Sequence, residues 1–255
     1  IVCKACGKSQ QELLRDLQLY ANAEVEARVT ELTERRLHGE PVAYLTSSWE
    51  FYGLPLEVTP DVLIPRSDTE ILVQAALEIL VGNKMDARIL DLCCGSGCIG
   101  CAMAKELPAS RVVMLDISKE ALRVARRNAQ TLGVANRVMC TDADALKAPP
   151  MLVGTFDMLL CNPPYIPSGE ILELDPSVRD YEPIWALDGG EDGLDFYRAV
   201  LKNWKGILRP GAWLLFEVGM GQSADVAKLM EWAGFLDVRT VDDTAGIQRV
   251  VCGHI

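Results

Sequence analysis

Histidine is nearly missing from this chain: two residues in 255, His38 and His254, both near the chain ends. The side chain most often used as a general base or metal ligand at neutral pH is therefore not available to a central site. Cys3 and Cys6 form one C-x-x-C, but no second pair stands at zinc-finger spacing, so no metal site is expected. No apolar run approaches the roughly 20 residues of a membrane span, and the opening IVCKACGKSQ lacks the long apolar core of a secretory signal. A soluble, cytoplasmic protein without membrane contact is expected. The start at Ile1 rather than Met predicts that an N-terminal portion is missing. Bases are scarce, 25 Lys and Arg against 36 Asp and Glu, for a formal charge of −11. That balance argues against affinity built on neutralising the phosphates of a duplex. Nine cysteines, an odd number in a chain that is 49% apolar, suit reduced thiols better than a disulfide framework.

What is present falls into two patterns. Residues 9–38 read as two helices: Leu13, Leu14 and Leu17 recur at helical spacing behind a capping box, Ser9 to Glu12, and Gly39 and Pro41 stop the second. WEFYGLPLEVTP, 49–60, reads as a β-hairpin turning near Gly53, and VLIPRSDTE leads from Pro65 into a helix through about Val81. From Ala87 onward strands and helices alternate. Strands are expected at RILDLC, RVVMLDI, RVMCTD, TFDMLLCN and AWLLFEVG, with helices at 97–107, 118–133, 194–206 and 222–233. An irregular stretch covers 166–193, and a strand pair near 235–242 and 248–252 closes the chain. The fold class is α/β: a mostly parallel sheet with helices on both faces and ligands beyond the carboxyl ends of the strands.

DLCCGSGCIG carries Gly95, Gly97 and Gly100 in a G-x-G-x-x-G pattern, and Asp116 ends the next strand where a ribose-binding acid belongs. A nicotinamide cofactor is one reading. Asp91 stands inside the strand just before the loop, where a pyrophosphate would gain nothing from a carboxylate. S-adenosylmethionine has no pyrophosphate but two cationic centres, an ammonium and a sulfonium, which an acidic strand end complements. The glycines let backbone approach the ligand, and Asp116 would accept from both ribose hydroxyls. This second cofactor is favoured. Asp142 and Asp144 follow the third strand, where an adenine amino group can meet a carboxylate; Asp144, with Ala145 beside it, is preferred. Cys93, Cys94, Cys98 and Cys101 read as small buried apolar residues rather than cluster ligands.

LCNPPYIP, 160–167, has no histidine, carboxylate or serine. Pro164 restricts Pro163, and Pro163 restricts Asn162, to extended backbone, and neither proline has an N–H. The result is a stiff rim of acceptors. The Asn162 side-chain oxygen and the Pro163 carbonyl can take both hydrogens of a planar –NH2, with Tyr165 stacked on the plane that bears it. Methyl transfer from a sulfonium to such a nitrogen needs alignment more than proton transfer, which fits a loop without a base.

RRLHGEPVAYL, EFYGLPLEVTPDVLIPRSDTE, DLCCGSGCIG, NPPYI, YEPIWALDGGEDGLDFYR and EVGMGQ occur in the order seen in the release-factor glutamine N5-methyltransferases, and nearly the whole chain resembles this HemK or PrmC family. The resemblance implies a Rossmann-like methyltransferase domain with a seven-stranded sheet. It places S-adenosylmethionine, leaving as S-adenosylhomocysteine, in the loop of Cys93, Cys94, Gly95, Ser96 and Gly97 with Asp116 on the ribose. It places substrate glutamine at Asn162, Pro163, Pro164 and Tyr165. Arg66 and Glu70 match the family's PR-x-x-TE element and are expected to organise the wall of the substrate cleft, unless they form only an ion pair at a helix start. EPIWALDGGEDG is expected to line the cleft. The family usually shows Gly at Cys93, Pro at Ser67 and a glycine after the Tyr-Leu pair.

The resemblance implies three parts: a helical recognition domain over 1–46, a hairpin linker over 47–65 and the methyltransferase domain over 66–255. The implied partner is a class I peptide-chain release factor, met through its GGQ loop by a monomer, with no direct nucleic-acid contact. An adenine-N6 nucleic-acid methyltransferase would also fit Asn162, Pro163 and Tyr165, but a flipped base needs a basic path for its backbone. A nicotinamide oxidoreductase rests on the glycine pattern alone and leaves NPPY unexplained.

Overall fold

The computed structural model describes residues 1–16 and 21–255. At the N-terminus lie α1 (Val2–Cys6), α2 (Gln10–Arg15), α3 (Ala23–Leu37) and α4 (Val42–Thr46). The capping box forms as expected: the Glu12 N–H donates to Ser9 Oγ at 3.3 Å and the Ser9 N–H donates to the Glu12 carboxylate at 2.9 Å. Leu17, one of the three leucines of the helical pattern, lies outside the described residues. The five-residue helices α1 and α4 are too short to show a period, which is why the pattern misses them. Ala5, Leu32 and Leu45 form the small core that joins α1, α3 and α4.

The hairpin pairs β1 (Ser48–Phe51) with β2 (Leu54–Glu57), Phe51 opposite Leu54. Its two turn residues, Tyr52 at φ 51° and Gly53 at φ 69°, both take the left-handed region that a two-residue hairpin loop requires. Tyr52 has a side chain in that region, and its N–H is tied down by the Glu70 carboxylate at 2.7 Å.

Next come α5 (Glu70–Leu80), β3 (Arg88–Leu92), α6 (Cys98–Glu106), β4 (Arg111–Asp116), α7 (Lys119–Thr131), β5 (Val138–Asp142), β6 (Phe156–Cys161), α8 (Pro176–Arg179), α9 (Asp195–Asn203), β7 (Leu208–Glu217), α10 (Ser223–Trp232), β8 (Leu236–Asp242) and β9 (Gln248–His254). Seven of these strands form one sheet in the order β5-β4-β3-β6-β7-β9-β8. The first five run parallel, while β9 is antiparallel to both β7 and β8. β7 starts four residues before the expected 212–219 strand, because Leu208 already pairs with Phe156 ahead of a register shift. Arg209-Pro210-Gly211 reads as a turn in the sequence and hides this extension.

Period-two alternation sends neighbouring residues of each strand to opposite faces. Ile89, Met158 and Leu160 pack with Leu72 and Val73 of α5, Ile99 and Met103 of α6 and Leu122 of α7. Leu90, Leu92, Leu159 and Cys161 pack with Tyr197 and Val200 of α9 and Val226 and Met230 of α10. The polar ends of two buried aromatic residues are satisfied: the Tyr197 hydroxyl donates to the Glu217 carbonyl at 2.9 Å and the Trp204 indole N–H to the Ala145 carbonyl at 2.9 Å. No described helix is long and apolar enough to cross a membrane.

One buried side chain joins the hairpin to the sheet domain. Asn128 of α7, 1% exposed, accepts from the Glu57 N–H at 2.7 Å and donates to the Glu57 carbonyl at 3.0 Å and the Ser96 carbonyl at 2.9 Å. A near-isosteric apolar residue would strand all three backbone groups. Asn128→Leu is expected to cost about 3 kcal/mol of stability. A urea midpoint unchanged from the parent protein would show that the clamp carries no stability.

Candidate active site

Strand order creates the site. The chain runs from β3 outward to β4 and β5, then returns to the other side of β3 as β6, so a crevice opens beyond the carboxyl ends of β3 and β6. Leu92 pairs with Leu115 on one side and Cys161 on the other, which sets residue 93, Asp116 and Asn162 side by side just past the ladder. A cleft of about 1070 Å³, counting the solvent at its mouth, occupies this place. Its wall includes Cys93, Cys94, Gly95, Ser96, Asp116, Asp144, Ala145, Asn162, Pro164 and Arg66 from the expected set.

The glycine loop is built from local backbone demands. Cys94 donates its N–H to the Leu115 carbonyl at 3.0 Å, and the Gly97 N–H closes a turn on the Cys94 carbonyl at 2.7 Å. Gly95 and Gly97 have φ 51° and 77°, and Cys93 has φ 62°. Cys93 therefore holds the left-handed conformation that glycine holds more cheaply, at a cost of about 1 kcal/mol. Gly100 serves packing: a Cβ there would lie 2.6 Å from Met114 Cε and 2.9 Å from Asp91 Oδ2.

Asp91, Gly97 and Glu70 stand off the wall, as do Pro163 and Tyr165 of the NPPY loop. Asp91 is fully buried beneath α6, with Oδ2 accepting from the Gly100 N–H at 2.9 Å and Oδ1 without a partner among the described residues. Burial pushes its carboxyl up to about 7 against the pull of that N–H. The expected direct contact with a cationic ligand is corrected accordingly: Asp91 supports the loop from behind. Gly97 begins α6 and packs on Met114 and Ala125, because a Cβ there would come within 2.9 Å and 3.0 Å of them. Glu70 holds the hairpin turn through Tyr52 instead of the cleft. Its expected pairing partner Arg66 reaches Glu182 at 2.5 Å, and Glu182 also accepts from the Ile64 N–H at 3.1 Å.

Asp116 is held by the Gly95 N–H at 2.8 Å on Oδ2 and the Ser118 N–H at 2.9 Å on Oδ1. Burial raises its carboxyl above the usual range, and these backbone donors oppose the rise. Each oxygen retains capacity for a further hydroxyl. Ser96 Oγ, on the same wall, is buried and without a partner among the described residues. An acidic diol acceptor, an orphan hydroxyl and a glycine-lined backbone fit the ribose and amino-acid ends of S-adenosylmethionine. Asp144 is on the wall, held by the Leu146 N–H at 2.9 Å and Lys147 at 2.9 Å, while Asp142 is not.

At the NPPY rim, Asn162 Nδ2 donates to Thr69 Oγ1 at 3.2 Å. Pro163 and Tyr165 lie off the cleft wall proper. Gln222 Nε2 donates to the Tyr165 carbonyl at 2.9 Å, and the Tyr165 ring lies so close to Gly219 that a Cβ there would come within 3.1 Å of Cδ2. Burial pushes the Tyr165 hydroxyl up to about 12. Trp185 and Ala186 bring the EPIWALDGG loop to the cleft as expected. Thr69 is also a wall residue; uncharged and placed between Arg66 and Glu70, it carries no local sequence signal of that role. Asp61, Val62, Leu63, Ile117, Leu146 and Phe196 also line the cleft, and nothing in their local sequence marks them. Among the described residues no cluster of potential metal ligands forms, and all nine cysteines are free.

Residues 68–173 match the Methyltransferase small domain, and residues 1–46 match the PrmC N-terminal domain. A release factor glutamine methyltransferase of Geobacter sulfurreducens is 43% identical over 100% of this chain and 87% of its own. One of Clostridium acetobutylicum is 43% identical over 83% of this chain and 74% of its own. A crystal structure of a methyltransferase from Pyrococcus furiosus superposes with a TM-score of 0.58 over 88% of this chain and 98% of its own, at 17% identity, which speaks to the fold alone.

Asp116→Ala removes the carboxylate expected to accept from two ribose hydroxyls while leaving the strand ladder intact. Affinity for S-adenosylmethionine is expected to fall by roughly 2–3 kcal/mol, with the thermal midpoint little changed. Calorimetry that finds parental affinity in the variant would take Asp116 out of the site.

Proposed function

Because the chain belongs to the family of release factor glutamine methyltransferases, we infer that it transfers a methyl group from S-adenosylmethionine to the side-chain amide nitrogen of the glutamine in the GGQ loop of peptide-chain release factors. The observation that carries this reading is the placement of Asn162 beside the glycine loop, with its amide nitrogen already engaged by Thr69, so that Oδ1 is left for the cleft. An acceptor there suits a substrate that arrives as –NH2.

S-adenosylmethionine bound in the cleft supplies an electrophilic methyl group on a sulfonium. The protein's own contribution is alignment and hydrogen bonding. Asn162 Oδ1 and the Pro163 carbonyl accept the two hydrogens of the glutamine amide, and the two prolines fix these acceptors without donors of their own. Accepting both hydrogens favours the nitrogen as it becomes pyramidal and positively charged. Holding the reactants in line contributes roughly 7–11 kcal/mol of the barrier. The acidified proton can then leave to water, so no base is required. Arg66, held by Glu182, and Trp185 shape the entrance.

The helical part, 1–46, and the hairpin supply recognition surface beyond the GGQ tripeptide, which offers little area by itself. Trp49, Ile184 and Trp185 are exposed apolar side chains on the hairpin and the cleft loop. The reading carries a cytoplasmic enzyme acting as a single chain on a protein substrate, not on nucleic acid.

Labelled methyl transfer to a recombinant release factor, with and without its GGQ glutamine, tests this function. Asn162→Ala is expected to lower kcat by about 1–3 kcal/mol of lost hydrogen bonding, with cofactor affinity nearly unchanged; parental kcat would remove Asn162 from the reaction. A second measurement is a salt series. The charge of −11 should steer the enzyme towards basic patches on its partner, so rates with intact release factor should fall as salt rises. A short GGQ peptide should react poorly and with weak salt dependence. Equal efficiency for peptide and protein would show that the helical part does not recognise the partner, and faster methylation of DNA would overturn the reading.

A further inference from the structure

Two anchors bracket the NPPY loop. Cys161 ends the β6 ladder opposite Leu92 and Phe216, and Ile166 is held by the cleft loop: its N–H donates to the Leu187 carbonyl at 3.0 Å and its carbonyl accepts from the Gly189 N–H at 2.9 Å. Between them, a side chain from the start of α10 takes hold of the backbone. Gln222 Nε2 donates to the Tyr165 carbonyl at 2.9 Å, with the Gly193 carbonyl at 3.5 Å, while Gln222 Oε1 accepts from the Gly219 N–H at 3.0 Å. A backbone N–H only donates and a carbonyl only accepts, so these partners fix which end of the amide faces which.

The surrounding chain is cast to fit this contact. A Cβ at Gly189 would lie 2.7 Å from Tyr165 Cα, and one at Gly219 would lie 2.8 Å from Gln222 Oε1. One at Gly193, where φ is 74°, would run into the Tyr165 carbonyl and stand 2.6 Å from Gln222 Nε2. Three glycines from two loops thus leave room for one residue of the NPPY loop and one amide. Starting α10 does not use that amide. The Asp225 and Val226 N–H groups donate to the Gln222 main-chain carbonyl at 3.1 Å and 3.0 Å, whatever side chain stands there.

We propose that Gln222 is a positioning residue for methyl transfer: by gripping the Tyr165 carbonyl it fixes the course of residues 162–165, and with it the Asn162 side chain and the Pro163 carbonyl. The two prolines transmit the grip. Pro163 and Pro164 have locked φ, and Asn162 and Pro163, each before a proline, are confined to extended backbone, so few torsions are free between Asn162 and Tyr165. A shift at Tyr165 is therefore felt at both acceptors. An in-line displacement is sensitive to such a shift, since a misplacement of about 1 Å can cost roughly a hundredfold in rate.

This inference rests on Asn162 and Pro163 being the acceptors for the substrate amide, and the test separates the two. It uses two replacements of nearly the size of glutamine. Gln222→Met has neither donor nor acceptor, and Gln222→Glu, ionised above neutral pH, keeps the acceptor for Gly219 but has no proton for Tyr165. Of the six tyrosines only Tyr165 is followed by isoleucine. Protein labelled with ¹³C-carbonyl tyrosine and ¹⁵N-isoleucine therefore gives a single peptide-bond NMR signal for the gripped carbonyl. That signal should shift in both variants without any substrate or cofactor. With release factor as substrate, kcat should fall roughly tenfold or more in both, while calorimetry finds the Kd of S-adenosylmethionine nearly unchanged. A role in packing alone predicts instead that Gln222→Glu, which has the shape of glutamine, keeps the parental rate. Parental kcat in Gln222→Glu, a Tyr165–Ile166 signal that stays at the parent's position in both variants, or a loss of cofactor affinity as large as the loss of kcat would overturn the proposal. A parent protein that transfers no methyl to release factor would sink the glutamine reading alone, since the NMR signal still decides whether Gln222 holds the loop.

Discussion

The parallel hydrogen-bond ladder on both sides of β3 is the constraint from which the site follows. Parallel pairing has evenly spaced bonds and a fixed register, so the strand ends are aligned whatever loops follow them. Leu92 opposite Leu115 and Cys161 sets the glycine loop, Asp116 and Asn162 within one crevice. A one-residue slip would reverse the facing of Leu90 and Leu92 and put the core side of β3 into the wrong layer. The register that packs the core is therefore the register that assembles the chemistry.

The third wall comes from outside the sheet. Residues 61–69 reach the cleft because their backbone is held at several points: the Tyr44 hydroxyl donates to the Val62 carbonyl at 2.7 Å, and Glu182 takes both the Ile64 N–H and the Arg66 guanidinium. Val58, Val62 and Ile64 pack with Tyr44 from α4 and Ala121 and Val124 from α7. The helical part and the hairpin are thus tied to the sheet domain through the same segment that presents Thr69 to Asn162. Motion of that segment would be felt at the substrate amide.

Buried carboxyls beneath the cleft share one physical cause. Asp91, Asp116 and Glu217 all sit above the usual carboxylate range because water is excluded; backbone N–H donors oppose the rise at Asp91 and Asp116, and the neighbouring Thr69 hydroxyl and the Arg249 and Arg66 cations oppose it at Glu217. In two of them, Asp91 and Glu217, one oxygen has no partner among the described residues. Negative charge concentrated under a site that takes a sulfonium and develops a positive nitrogen is electrostatically consistent, even where the acid makes no direct contact.

Much of this was readable from sequence, because local rules carry it. The Ser9–Glu12 capping box, the Gly53 turn, the alternation from β3 onward and the glycine loop each express their geometry within a few residues, and NPPY states its stiffness through two prolines. Asp116 is legible because a strand end fixes where its carboxylate sits. What the sequence could not state is which distant groups meet. Arg66 finds Glu182 across 116 residues instead of Glu70, which sits near it in sequence. Asp91 is turned under the helix that follows its loop, and β7 begins behind an Arg-Pro-Gly that resembles a turn. Thr69 and Asn162 lie in different motifs, and only packing brings the threonine hydroxyl against the asparagine amide. Periodicity and turn chemistry act over one or two turns of chain, so they determined the elements and the reactive loops. The partners of buried charges depend on which surfaces the sheet closes against one another, and that the tertiary structure alone decided.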